Sequence, residues 1–150
     1  MNDELSELYQ ELILDHSRHP RNRREMQDAD RAVEVYNPMC GDQIKVFLKL
    51  NDHHLADVSF TGVGCAICMA SASMMTQAVR DRSETDAMDV FDWFHDLLTA
   101  EDPPPLRTDL PDLASLGGVR RFPMRVKCAT LAWHALRSAL RGDVPQVSTE

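Results

Sequence analysis

The chain has 150 residues and a net charge of −8, which suits a single domain with a substantial core and disfavours nucleic-acid binding. It holds no apolar run of about 18 residues, so no membrane span is expected, and residues 1–4 are acidic where a signal peptide would be apolar. Four cysteines are too few for a disulfide scaffold, so we expect a cytoplasmic protein whose thiols stay reduced.

The first predicted element is a helix over residues 4–16, where leucines recur at helical spacing. Its end is near Pro20, and the nearby His16 and His19 are interpreted as surface or capping residues.

A small antiparallel sheet is predicted next. Apolar residues alternate with polar ones over 44–50, and a turn connects this run to a returning strand over 55–61. Residues 33–36 are predicted to form a third strand at the edge of the sheet.

Helical patterns dominate the remainder of the chain. Residues 66–80 present one face of small side chains. Thr85 or Asp86 is predicted to cap a helix with an apolar stripe, and the last helix is predicted over 122–140, ending at Gly142.

Two shorter segments complete the prediction. A turn of helix is expected within 110–116, stopped by Gly117 and Gly118, and residues 143–150 are expected to be a disordered tail. The fold class is therefore α+β: a three-stranded antiparallel sheet packed against several helices in one domain spanning 1–150.

The cysteines are confined to three short segments of the chain. These segments are Asn37–Asp42, Gly62–Cys68 and Arg125–Cys128. Each is predicted to form a turn or a helix end, so we expect the chain to gather its sulfur at one place. Thiolates and an aspartate suit tetrahedral Zn²⁺, and thiols are also the groups that sulfur transfer requires.

Local sequence supports a shared site at two of these segments. Gly41 lies between Cys40 and Asp42 and permits a tight turn, so both side chains can face one point. Cys65 directly precedes a predicted helix, whose N-terminal N–H groups favour a thiolate. The alternative interpretation is that isolated cysteines are small buried hydrophobic residues.

Arg125 lies three residues before Cys128 and shares a face of the last predicted helix with it. Three thiolates and a carboxylate around Zn²⁺ would carry a net charge of about −2, which a nearby arginine would offset. The alternative is that Arg125 is a solvated surface residue.

Cys68 forms a C-x-x-C motif with Cys65. The ordinary interpretation of Cys68 is a small buried residue one helical turn from Cys65. Two other interpretations are a resolving thiol for a persulfide on Cys65 and an alternative metal ligand.

Several motifs together resemble a known family. They are Asp15–Asn22, Asn37–Asp42, Phe60–Ile67 with Ala70–Met75, and Arg125–Trp133. These motifs look like those of SufU, the zinc-dependent branch of the IscU-like iron–sulfur assembly proteins. The long segment between Cys65 and Cys128, and Lys127 where the scaffold IscU type has a histidine, favour the SufU branch. Cys68 departs from the family pattern, which usually has a serine there.

The resemblance implies a site and a function. Zinc would be held by Cys40, Asp42, Cys65 and Cys128. The partner would be a SufS-type, pyridoxal-phosphate-dependent cysteine desulfurase, from which the chain would accept persulfide sulfur on Cys40. The sulfur would then pass to a SufB-containing scaffold complex.

Three questions stay open at this point. The same ligands could instead hold iron or a [2Fe–2S] cluster, which would make the chain an assembly scaffold. A third possibility is a thiol–disulfide oxidoreductase that uses Cys65 and Cys68. The sequence also does not decide whether the chain is an enzyme or a co-substrate of the desulfurase.

Overall fold

Three antiparallel strands form the centre of the fold in a computed structural model, which describes the backbone of residues 3–142 and 146–148 and the side chains of residues 7–142. The strands are β1 (Arg31–Asn37), β2 (Asp42–Asn51), β3 (His54–Val63) and a short β4 (Gln146–Ser148). The helices are α1 (Asp3–Arg18), α2 (Ala66–Val79), α3 (Glu84–Thr99), α4 (Pro111–Ala114) and α5 (Pro123–Arg141), with a 3₁₀ turn over Gly117–Arg121. The α+β class and the three-stranded antiparallel sheet are confirmed.

The register of the sheet brings two distant segments together. Asn37 pairs with Asp42 across the β1–β2 turn, and Gln43 pairs with Val63 at the end of β3. The turn that carries Cys40 and the loop that carries Cys65 therefore lie at the same end of the sheet.

Helix α5 delivers the third segment to that end. It packs against β1, β2 and α2. The indole of the buried Trp133 donates to Ser71 Oγ on α2 at 3.0 Å, and Ser71 Oγ donates to the Ala129 carbonyl at 2.5 Å. These buried bonds hold the first turns of α5, and with them Cys128, against α2.

The histidine near the end of α1 has a different role from the predicted one. His16 is buried, and its ring bonds Ser73 Oγ at 2.7 Å and Asp112 Oδ2 at 3.0 Å. The interpretation of His16 as a surface or capping residue is wrong, because its ring connects α1 to α2 and α4. His19 is exposed, as expected.

Two boundaries also differ from the prediction. Ser83, and not Thr85 or Asp86, caps α3 by accepting a bond from the Asp86 N–H at 3.0 Å. These residue types cap equally well, so spacing alone does not choose among them. The glycines expected to stop α4 begin the 3₁₀ turn instead.

The end of the chain adds a strand. Residues 146–148 pair in parallel with β1, so β1 is not at the edge of the sheet. The rest of the predicted tail lies outside the described residues. Within residues 3–142, no helix has both the length and the apolarity needed to cross a membrane.

We predict that the end of β3 tolerates no side chain at Gly62. Its φ is +138°, and a Cβ there would lie 2.1 Å from the Gln43 carbonyl oxygen. Gly62→Ala should therefore lower the free energy of unfolding by about 3 kcal/mol or more. Chemical denaturation of the two proteins measures this difference.

Gly118→Ala is the matched control, because a Cβ at Gly118 meets nothing within 4 Å. It should change the free energy of unfolding by less than about 1 kcal/mol. Equal stability of the two variants would contradict the register described for β2 and β3.

Candidate metal centre

Three potential metal ligands converge at the end of the sheet. One donor atom from each of Cys40, Asp42 and Cys128 lies within 4.8 Å of the other two. Cys40 Sγ is 3.2 Å from Asp42 Oδ2 and 3.6 Å from Cys128 Sγ. Among the residues with described side chains, this is the one group of three or more such donors at this spacing.

A capped turn presents Cys40 to the surface. The backbone carbonyl of Asn37 accepts from the Gly41 N–H at 2.9 Å. The side-chain oxygen of Asn37, Oδ1, accepts from the Met39 N–H at 3.1 Å. Gly41 has a φ of +74°, which glycine adopts without strain. The turn is anchored by the buried Asn37 while Cys40 at its tip stays exposed.

Asp42, the first residue of β2, is buried with its two carboxylate oxygens in different roles. Oδ1 accepts from the Cys65 backbone N–H at 3.1 Å, and Oδ2 accepts from Cys40 Sγ. One oxygen is thus fixed by the β3–α2 loop, and the other faces the two sulfurs of the group.

Cys65 borders the group without belonging to it. It is the N-cap of α2, and its Sγ accepts from the Cys68 backbone N–H at 3.5 Å. Its own N–H holds Asp42, and its side chain is exposed. Of the four predicted ligands, the structure brings three together and leaves Cys65 adjacent, so its role as a ligand stays a prediction.

Cys128 supplies a buried sulfur from the first half of α5. Burial raises the pKa of the Cys128 thiol, and the neighbouring Asp42, Cys40 and Cys65 side chains raise it further. A thiolate there, beside a buried carboxylate, is unfavourable without a compensating charge. A divalent cation would provide that charge.

The spacing of the donors fits a tetrahedral ion. Zinc bonds sulfur at about 2.3 Å, so neighbouring sulfurs in a tetrahedral shell lie about 3.7 Å apart. The Cys40–Cys128 separation of 3.6 Å agrees with that edge. Two thiols and a carboxylate are also the ligand types that Zn²⁺ takes. The residues present therefore fit such an ion.

The contact described for the Arg125 side chain is with Phe122 and not with a donor atom of the group. Its exposed guanidinium stacks over the ring of Phe122, 5.0 Å from the ring centroid. A supporting role at the site stays a prediction.

Cys68 is fully buried on α2, which confirms its ordinary interpretation. Burial raises the pKa of the Cys68 thiol, with Asp42, Cys65 and Cys40 as further causes. Cys68 is therefore a neutral thiol next to the centre.

Sequence reasoning missed Asn37, which holds the Cys40 turn. The signal was present: an Asn-Pro dipeptide marks a turn, and an asparagine side chain commonly bonds the backbone two residues later.

Exposed apolar side chains lie within the donor segments or within three residues of them in the chain. They are Met39, Val63, Phe122 and Met124, each at least half exposed. We call these four residues the apolar rim. Exposed large apolar side chains that cluster are typical of an interaction surface.

Comparisons with known proteins agree with this arrangement. Residues 8–142 match the family model described as the NifU-like N terminal domain. A Bacillus subtilis protein named zinc-dependent sulfurtransferase SufU is 40% identical over 139 residues, covering 93% of each chain. A Streptococcus pyogenes protein named iron–sulfur cluster assembly scaffold protein IscU is 38% identical, covering 91% of this chain and 85% of its own.

A solved structure supports the fold independently. A SufU protein from Fervidobacterium islandicum, described as a candidate scaffold for the SUF system, superposes with a TM-score of 0.81 at 27% identity. The match covers 87% of this chain and 94% of that one. The fold and site define a small α+β protein with a candidate metal centre of two thiols and a carboxylate. The chain belongs to the NifU-like N-terminal domain family and is similar to its SufU and IscU members.

We predict that the charged oxygen of Asp42 is needed for metal binding. Asp42→Asn keeps an oxygen that can accept from the Cys65 N–H but removes the negative charge that faces the sulfurs. Zinc affinity, measured by competition with a chromogenic chelator, should fall by at least about tenfold.

Asp57→Asn is the control for this measurement. Asp57 lies on β3 and pairs with Arg24, outside the group of donors. Its substitution should leave zinc affinity unchanged, and equal affinities for both variants would exclude Asp42 as a ligand.

Proposed function

We propose that the chain is a zinc-dependent sulfur-transfer protein of the cytoplasm. It accepts persulfide sulfur from a SufS-type cysteine desulfurase on Cys40 and passes it to a SufB-containing scaffold complex. The observation that carries the proposal is the exposed Cys40 sulfur, which lies against two buried ligands, Asp42 and Cys128.

The difference in exposure supports Cys40 as the acceptor. An acceptor sulfur must meet a sulfur atom that another protein carries. Cys40 is exposed at the tip of a turn, whereas Cys128 is buried on a helix held by Trp133 and Ser71. Cys40 can therefore change its position with less loss of packing than Cys128.

The ligands proposed for zinc are Cys40, Asp42, Cys65 and Cys128. Bound zinc would stabilise the thiolates and exchange one ligand without redox chemistry of its own. In this proposal Cys65, which lies beside the group, completes the shell by a small rotation of its exposed side chain.

The transfer step is a thiol exchange. The Cys40 sulfur attacks the outer sulfur of the desulfurase persulfide, a new S–S bond forms, and the desulfurase thiolate leaves. The proton of a Cys40 thiol has an acceptor in Asp42 Oδ2 at 3.2 Å. No external oxidant or reductant is consumed, because the transferred sulfur keeps its oxidation state.

The apolar rim supports a protein as the sulfur donor. Met39 is adjacent to Cys40 in the chain and 65% exposed, and Val63 precedes Cys65 by two residues and is 63% exposed. A partner that covers these side chains would bury apolar surface and exclude water from the exchanging sulfurs.

We predict that Cys40→Ala abolishes sulfur acceptance. In an assay of sulfide or alanine release by a SufS-type desulfurase, wild-type protein should stimulate turnover. The variant should leave turnover at the level of the desulfurase alone, because it lacks the attacking sulfur.

Cys68→Ser, assayed under reductant, is the matched control, since Cys68 is a thiol outside the donor group. It should stimulate as the wild type does. Full stimulation by Cys40→Ala would remove Cys40 as the acceptor.

The second candidate function is a scaffold for transient [2Fe–2S] assembly on the same ligands. The similarity to the Streptococcus pyogenes scaffold IscU favours it. The main proposal predicts that anaerobic reconstitution with iron and sulfide yields no stable visible absorbance and leaves bound zinc in place. A persistent brown chromophore that is lost in Cys128→Ser would instead support the scaffold.

A further inference from the structure

We propose that Cys65 and Cys68 form a redox-active dithiol at the start of α2, which peroxides oxidise to a disulfide. The oxidation would take Cys65 away from the metal centre. The choice of this pair over Cys40 and Cys128, and the consequence for the metal, rest on the proposed function.

The first thiol of the pair is accessible and aimed at the second residue. Cys65 is exposed and caps α2, and its Sγ accepts from the Cys68 N–H at 3.5 Å. Residues three apart in a helical turn have Cα atoms about 5 Å apart, within the range of about 4.4–6.8 Å that disulfides adopt. Rotation about the side-chain bonds is therefore enough to bring the sulfurs together.

The second thiol is held beside the first and has no other assignment. Cys68 is fully buried, and its Sγ would lie 2.8 Å from a Cβ built on Gly64. The glycine thus leaves room for the Cys68 sulfur directly next to the loop that carries Cys65. Cys68 is outside the group of donors, so it stays a free thiol when a metal ion occupies the centre.

A competing pair exists in the same region. Cys40 and Cys128 have sulfurs 3.6 Å apart, but both belong to the group that a metal ion would hold. Cys68 differs from the other three thiols because it lies outside the proposed ligand set, so bound zinc does not hold it. In the zinc-loaded protein an oxidised Cys65 therefore finds a thiol that the ion does not hold within its own helical turn.

The chemistry balances with hydrogen peroxide as the oxidant. The Cys65 sulfur attacks peroxide, the O–O bond breaks, and a sulfenic acid and one water form. The Cys68 sulfur then attacks the Cys65 sulfur, an S–S bond forms, and the S–O bond breaks to release a second water. Two thiols lose two electrons and two protons in total, and peroxide is reduced to two waters.

Disulfide formation changes the donor set. A sulfur in a disulfide no longer offers the charge of a thiolate, so Cys40, Asp42 and Cys128 alone would face the ion. Bound zinc should leave when Cys65 is oxidised and return when the disulfide is reduced.

Trypsin separates the possible disulfides, because lysine and arginine residues flank each segment. Cys40 falls in peptide 32–45, Cys65 and Cys68 together in peptide 50–80, and Cys128 in peptide 128–137. A Cys65–Cys68 disulfide stays within one peptide, whereas a Cys40–Cys128 disulfide joins two.

The experiment treats the zinc-loaded full chain with limiting hydrogen peroxide. Free thiols are then alkylated, and the digest is analysed by mass spectrometry before and after dithiothreitol. We expect peptide 50–80 to lose two hydrogens and to be alkylated only after reduction. Peptides 32–45 and 128–137 should be alkylated directly.

Cys68→Ser and Cys68→Ala provide two independent controls for this assignment. In both variants Cys65 should be recovered with bound oxygen, trapped by dimedone as the sulfenic acid. A disulfide that joins peptides 32–45 and 128–137 would overturn the proposal. The proposal would also be overturned if peptide 50–80 of the wild type carried the same oxidation products as peptide 50–80 of the two variants.

Zinc is followed in the same reaction with a chromogenic chelator. Wild-type protein should release zinc with peroxide and bind it again after dithiothreitol. Retention of zinc by protein that carries the disulfide would overturn the link to the metal. A wild-type chain that binds no zinc would refute the proposed function, whereas a chain that binds zinc but forms no Cys65–Cys68 disulfide would refute the dithiol alone.

Discussion

One buried carboxylate connects the segments on which the site depends. Asp42 is 3% exposed, and it accepts bonds from the Cys65 backbone N–H and from Cys40 Sγ. A charge removed from water in this way requires several donors or a cation. The bond from the Cys65 N–H joins the start of β2 to the start of α2, and the bond from Cys40 directs the second oxygen at sulfur. The same interaction therefore stabilises the loop and prepares a cation site.

The centre has a buried side and an exposed side. Cys128 is anchored by α5, whose packing includes the buried bonds of Trp133 and Ser71. Cys40 lies at the tip of a turn and is exposed, although Asn37 fixes the base of that turn. Ligand exchange should occur on the exposed side, because movement there breaks few packing contacts.

Much of the fold was predictable because each element carries a strong local pattern. The alternation of β2 and the apolar stripe of α3 have the periods of strand and helix, and the structure has both. The role of His16 was not predictable, since its partners Ser73 and Asp112 are 57 and 96 residues away in the chain. Pairing of residues 146–148 with β1 is likewise a long-range contact that no local period reports.

The sequence by itself determined the chemistry of the centre: which thiols and which carboxylate are available, and that Cys40 and Asp42 share one turn. Only the tertiary structure decided how these groups are arranged. The pairing of Asn37 with Asp42 and of Gln43 with Val63 brings the turn and the α2 loop together, and α5 adds Cys128. Cys65 holds the centre through its N–H, which donates to Asp42, while its sulfur accepts from the Cys68 N–H as the N-cap of α2.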